Sequence, residues 1–175
     1  MSESESSIET AHEDWEAVAR RAAGDFLAGT DEEGAEIRRE LLVFTLDDSA
    51  YAIAVERIRE IVRVRDLTLL PRSPDWMLGV MALRGEIVEV VDLRRRLGLA
   101  AEKPNRFSRI IVLHGDEDRV TGVLVDSVSE VYRALEECMM PAQGFEVTSV
   151  VEVCRRDEEF ISILDPDAVL GFQDG

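Results

Sequence analysis

Residues 79–98 read GVMALRGEIVEVVDLRRRLG, with the pair Arg84-Gly85 set between two apolar runs. Glycine at that place supplies a tight turn, so GVMAL and EIVEVVDL read as the two arms of a hairpin. A charged residue at the tip of strands suited to burial then needs an explanation of its own.

Working outward, the same rhythm of short β-type runs and turn chemistry holds from Leu41 onward. LLVFTL (41–46) is followed by a turn at Asp47-Asp48-Ser49, then YAIAV and IREIVRV. Pro71 and Pro74 keep the segment before the hairpin extended and stop a helix from crossing it. Beyond it come RIIVLHG, a turn at Asp116–Asp118, and RVTGVLVDSVSEVY, read as another such pair. EVTSVVEVCRR, EFISIL and a short helix over Pro166–Leu170 complete the series. Many short strands with few helices between them predict an all-β barrel or sandwich class. The division into two hairpin-rich halves, roughly 41–100 and 101–170, predicts two small barrels.

Residues 1–40 form a separate acidic N-terminal extension. From Ile8 to Ala28 the apolar residues Ile8, Ala11, Trp15, Val18, Ala19, Ala22, Phe26 and Leu27 recur at three- and four-residue steps, which predicts an amphipathic helix. GTDEEGAE, bracketed by Gly29 and Gly34, reads as the linker after it. Such a helix either packs on its own domain or is offered to a partner.

The chain has 175 residues, 46% of them hydrophobic, enough for one well-formed core, and carries a formal charge of −17. That charge argues against a role on nucleic acid or an anionic membrane. No run of about 20 apolar residues is present and the N-terminus is acidic, so neither membrane insertion nor a secretory signal is expected, and a cytoplasmic location is. The charge is unevenly spread: residues 1–40 hold twelve acids against four bases, whereas residues 57–109 hold twelve bases against seven acids. This basic island is either a solvated face of mixed charges or a docking surface for an acidic protein partner.

No GxSxG elbow, phosphate-binding loop, GxGxxG or HExxH motif is present. Cys138 and Cys154 lie sixteen positions apart without a CxxC, and His12 and His114 are the only histidines. Reduced, buried thiols are expected, with no metal and no cofactor. His114 reads as a strand-end residue and Asp116–Asp118 as a hairpin turn. Asp92 and Asp126 each end an apolar strand, where an acid caps the turn that follows. Trp76 is expected in the core at a barrel rim, and Met139, Met140 and Pro141 form an apolar patch, read as core packing ahead of an adaptable interface.

Three stretches in series carry a resemblance: FTLDDSAYAIAVERIREI, LLPRSPDWMLGVMALRGEIVEVVDLRRRLG and RIIVLHGDEDRVTGVLVDSVSEVY. Together they resemble the CheW-like coupling proteins of bacterial chemotaxis, over about residues 41–172. The matching motifs are Ile58-Arg59-Glu60-Ile61, Gly79 to Gly85, and Val91-Asp92-Leu93-Arg94. The resemblance implies two intertwined five-stranded SH3-like barrels without catalytic activity. It implies a cytoplasmic adaptor, recruited to membrane-associated receptor arrays, that joins a chemoreceptor's cytoplasmic tip to a chemotaxis histidine kinase. Carried over by position, Ile58, Glu60, Arg84 and Gly85 match the places that meet the receptor, Ile58 as groove floor, Glu60 and Arg84 as guides, and Gly85 as the residue permitting a close backbone path. No motif identifies the residues that meet the kinase.

Ala82 departs from the family's common asparagine and Glu89 from its usual proline. A second reading is therefore a regulatory module that binds the kinase with receptor coupling lost or altered. A third, an enzyme using Cys138 or Cys154, rests on the cysteines alone.

Overall fold

The computed structural model describes residues 38–144 and 149–171. The helix and linker expected within residues 1–36 lie outside the described residues. The strands are β1 (Arg38–Leu46), β2 (Ser49–Ala54), β3 (Ile58–Arg63), β4 (Met77–Leu83), β5 (Glu86–Asp92), β6 (Arg109–His114), β7 (Val120–Val125), β8 (Ser127–Leu135), β9 (Met139–Pro141), β10 (Val150–Arg156) and β11 (Glu159–Leu164). Two short helices, α1 (Leu93–Arg96) and α2 (Pro166–Leu170), follow β5 and β11.

Local chemistry accounts for many of these boundaries. Asp47 and Asp48, both at positive φ, make the two-residue turn between β1 and β2, where Leu46 faces Ser49. Asp92 caps α1 by accepting a hydrogen bond from the Arg94 N–H at 3.1 Å. Asp165 does the same for α2 through the Asp167 N–H at 3.0 Å, with Pro166 in the first turn and Gly171 closing the end in the left-handed region.

The strands form two sheets, β8-β1-β2-β11-β10-β9 and β3-β6-β7-β5-β4. Each curls toward closure. In the first, β8 runs through a 3₁₀ turn at Glu136–Cys138 directly into β9, so the sheet's two edges are consecutive in the chain. Its sixth strand, β9, is three residues long. In the second, the segment leaving β3 turns back to edge strand β4, where Thr68 and Val80 exchange two backbone hydrogen bonds of 2.9 Å. Gly79 makes this approach possible: a Cβ there would lie 2.4 Å from the Thr68 carbonyl oxygen.

The barrels do not divide the chain into halves. The second takes every strand from Ile58 to Val125, and the first is assembled from both ends around it. The expected division fails at Asp126, which splits RVTGVLVDSVSEVY into β7 of one barrel and β8 of the other. Hydrophobic alternation registers that a strand continues; it carries no mark of a change of sheet.

Leu41, Val43, Ala52, Ala134, Cys154, Ile161 and Ile163 fill the first barrel. Met81, Leu83, Val88, Val90, Ile110, Val112 and Leu124 fill the second. On the same strands, Leu42, Phe44, Ile53, Ile111, Leu113 and Val123 are also buried, although they point to the opposite faces. Their cover is the other barrel, with β1 lying against β7. Each such side chain contributes about 1.5–3 kcal/mol on burial. This apolar layer holds the barrels together but is non-directional, so polar contacts must set their register.

Those contacts sit where the chain passes between barrels. At the first crossing, Val55–Arg57, Arg57 grips Asp167 of α2 with two hydrogen bonds of 2.6 and 3.0 Å. At the second, Asp126 accepts from Arg94 Nε at 2.8 Å and Nη2 at 2.5 Å, and from the Asp47 N–H at 2.9 Å. Asp126 therefore does not cap the turn after it, as its sequence position suggested; it receives a buried guanidinium from α1. Asp92 does cap.

Burial alone would raise the Asp126 pKa, but Arg94 and the Asp47 N–H outweigh it and hold the carboxyl below the usual range. Arg57 lowers that of Asp167 likewise, against a smaller effect of burial. A depressed carboxylate gives its full stabilisation above the unfolded value, about 3.9, and loses it as pH falls through the lower native value. Asp126→Asn is expected to cost about 1–3 kcal/mol at neutral pH, by leaving Arg94 short of its main counter-charge. It is also expected to shrink the loss of stability below about pH 4, leaving the part due to Asp167. Urea unfolding of both proteins at a series of pH values measures the two effects.

Candidate partner-binding site

Arg84 and Gly85 form the two-residue turn between β4 and β5, with Leu83 facing Glu86 across its base. Their φ angles, 51° and 81°, are both left-handed, as a type I′ turn requires. Gly85 is suited to this by its φ alone, since a Cβ there would meet nothing within 4 Å. Within the chain itself, the close approach of backbones occurs at Gly79, against the Thr68 carbonyl. Arginine is a costly choice for the other turn position, where Asn, Asp or Gly fits with less strain.

The turn projects Arg84 toward β3. Nε of Arg84 donates to Glu60 Oε1 at 3.1 Å and Nη2 to Oε2 at 3.2 Å, a side-on pair. Glu60 is largely enclosed, its side chain 18% exposed, while that of Arg84 is 70% exposed. Among the described residues Nη1 has no partner, so the outer edge of the guanidinium is presented to solvent. Glu60 raises the Arg84 pKa by hydrogen bonding and by its charge, fixing the cationic form.

A bulge in β3 arranges this. Ile58 faces Leu113 and Glu60 faces Val112, so Arg59 is the extra residue between them. Arg59 then reaches Glu86, the residue after the turn, at 2.5 Å. Two pairs of opposite polarity thus tie β3 to the turn: Arg59 to Glu86, and Glu60 to Arg84. Arg59 and Glu86 escaped the sequence reading; the available signal was the neighbouring opposite charges at 59–60 and 84–86. Ile58 lies half-buried where the chain enters the second barrel, and Gly85 is exposed at the tip.

The structure therefore brings Glu60 and Arg84 into contact and places Ile58 on the same strand as Glu60. Beside the turn, Ile87 is 70% exposed and faces Ala82 across the hairpin, also exposed. Glu89 is exposed on β5 opposite Val80. This outer face combines an apolar surface with Arg84 and Glu86 at its end, chemistry suited to an amphipathic helix. Trp76, expected in the core, is half-buried beneath Arg96, whose guanidinium carbon lies 4.7 Å from the ring centre. Cys154 is buried and Cys138 half-buried, both as free thiols. His114 is exposed at the end of β6.

Residues 40–173 match a family model described as the CheW-like domain. The probable chemotaxis protein CheW of Rhizobium etli is 30% identical over 137 residues, 75% of this chain and 86% of that protein. The chemotaxis protein CheW of Klebsiella aerogenes is 34% identical over 119 residues, 68% of this chain and 71% of that one. Among solved structures, the scaffolding protein TtCheW from Thermoanaerobacter tengcongensis is similar with a TM-score of 0.69 and 27% identity, covering 74% of this chain and 90% of its own.

The turn geometry separates the fold's demands from any other demand on these two residues. Gly85→Ala is expected to cost about 1–2 kcal/mol, since alanine must adopt a left-handed φ. Arg84→Asn is expected to leave stability within about 1 kcal/mol of wild type, because asparagine tolerates that conformation and an ion pair this exposed contributes little. Equilibrium urea unfolding checks both.

Proposed function

The chain belongs to the CheW-like family, and from that premise we propose that it is a scaffold, not an enzyme, coupling chemoreceptors to a chemotaxis histidine kinase. The observation that carries its receptor side is the Arg84 turn. A type I′ position that asparagine or glycine would fill with less strain holds an arginine, whose exposed ion pair with Glu60 is expected to add little to stability. Strain retained without a folding benefit is what a binding residue leaves behind.

In this reading the receptor's helical tip lies against the second barrel where Ile58 gives apolar contact and Arg84 offers Nη1 to a receptor carboxylate. Glu60 holds the guanidinium in place from below, so the charge is oriented before the partner arrives and less side-chain freedom is lost on binding. Glu60 is then a positioning residue more than a guide, a change from its expected role. Gly85 shapes the turn. The kinase meets a separate face, and the assembly lies on the cytoplasmic side of a receptor array.

Titrating the full chain separately with a chemoreceptor cytoplasmic fragment and with the kinase's regulatory domain tests this. Both are expected to bind, and Arg84→Asn is expected to weaken the receptor contact about tenfold or more while leaving the kinase contact unchanged. Kinase binding without receptor binding would instead favour a regulatory module in which Ala82 and Glu89 mark lost coupling. Normal receptor binding by Arg84→Asn would remove the role assigned to that residue.

A further inference from the structure

Apart from Arg72 and Lys103, the basic island of residues 57–109 resolves into two populations. Arg57, Arg59, Arg84, Arg94 and Arg95 are paired with carboxylates, and Arg96 lies over Trp76 while donating to the Val169 carbonyl at 2.6 Å. At the far end of β3 from Glu60 the pattern reverses. Arg63 and Arg109 stand directly opposite each other in the β3–β6 register, two like charges where an opposite pair would stabilise. Arg109 folds onto the Arg106 and Ser108 carbonyls at 2.8 Å, which brings the loop bearing Arg106 alongside. Arg65 follows two residues after Arg63 and is exposed. Among the described residues none of these four is paired with a carboxylate, and the one acid beside them in sequence, Asp66, pairs with none of them.

Phe107 completes the patch. It is 56% exposed, with the Arg106 guanidinium carbon 4.7 Å from its ring centre. Exposed aromatic rings stacked with arginine are typical anchors of protein interfaces. The Arg109 pKa is lowered by burial and by Arg63, in keeping with uncompensated positive charge at this place.

We propose that Arg63, Arg65, Arg106 and Arg109, with Phe107 stacked on Arg106, form a second docking surface that receives an acidic segment of a partner protein, one carrying several carboxylates and an apolar side chain for Phe107. Charge complementarity selects the occupant: arginine forks match carboxylates, while the chain's overall negative charge repels a polyanion as long as a nucleic acid. The surface lies at the other end of β3 from the Arg84 turn, about 10 Å away along the strand by its rise per residue, so the proposal stands apart from the receptor reading.

The test uses the full chain and a fluorescein-labelled synthetic peptide of glutamates with two leucines, followed by anisotropy at low and moderate salt. The wild type is expected to bind, more weakly as salt rises, and Arg63→Glu/Arg65→Glu to weaken binding about tenfold. Arg119→Glu, a charge reversal outside the cluster, is expected to bind as wild type. Arg63→Glu alone is expected to keep or raise Tm, because it turns the facing like charges into an opposite pair. The proposal is overturned if the double variant binds normally or if Arg119→Glu loses as much. It is equally overturned if Arg63→Glu lowers Tm, which would make the cluster structural, or if a short DNA duplex displaces the peptide at lower concentration than unlabelled peptide does.

Discussion

The Arg94–Asp126 pair is the constraint on which the arrangement of the two barrels depends. Arg94 is 8% exposed, and its guanidinium is satisfied on every side: by Asp126 twice, by Glu102 at 2.8 Å, by the Ala100 carbonyl at 3.1 Å, and by Asp47 at 3.7 Å. These partners come from three places: the crossing into the first barrel, the loop after α1, and the β1–β2 turn. An arginine buried without them would be prohibitively costly, and with them the pair makes only a modest net contribution. What it adds is direction. The apolar layer between the barrels would tolerate sliding; a five-donor fork with fixed acceptors would not.

The pair's position explains why the fold can use so few helices. A chain that leaves one barrel, builds a second and returns must make two crossings, and each is a place where backbone ladders end. Arg57–Asp167 and Arg94–Asp126 sit at those two places and replace lost ladder bonds with side-chain bonds from the opposite barrel. α1 and α2 are correspondingly short: α1 carries Arg94 and Arg96 to their partners, and α2 offers Asp167 and the Val169 carbonyl. Each is four or five residues long, too short to be stable alone, and is held by its cap and these contacts.

Local features were legible in the sequence because their causes are local. The hairpins at 41–55 and 79–92, the turn at 116–118, the helix Pro166–Leu170 and the Asp92 cap all follow from residues within a few positions of one another. The family resemblance supplied the rest of the architecture, which periodicity alone divided wrongly. Asp126 was misread because its partners, Arg94 and Asp47, are 32 and 79 positions away. Gly85 is legible as a turn glycine because its positive φ follows from the turn, whereas the close approach at Gly79 depends on Thr68 returning to β4 and leaves no local mark. At the candidate site Glu60 and Arg84 were visible as residues, but not as partners.

Charge in this chain is consequently used in three ways that composition cannot separate. Arg57 and Arg94 are internal, orienting one barrel on the other. Arg84 is held on one edge by Glu60 and free on the other, a state between structure and recognition. Arg63, Arg65, Arg106 and Arg109 have no carboxylate partner among the described residues. A net count over residues 57–109 merges these into one positive number, and an even spread of solvated charge would produce the same count. The distinction comes from where the carboxylates lie: among the described residues, acids from distant parts of the chain are brought to the first group, one acid to the second, and none to the third. Folding therefore draws part of the basic island into internal scaffolding, and the charge left outside it is what remains for partners to read.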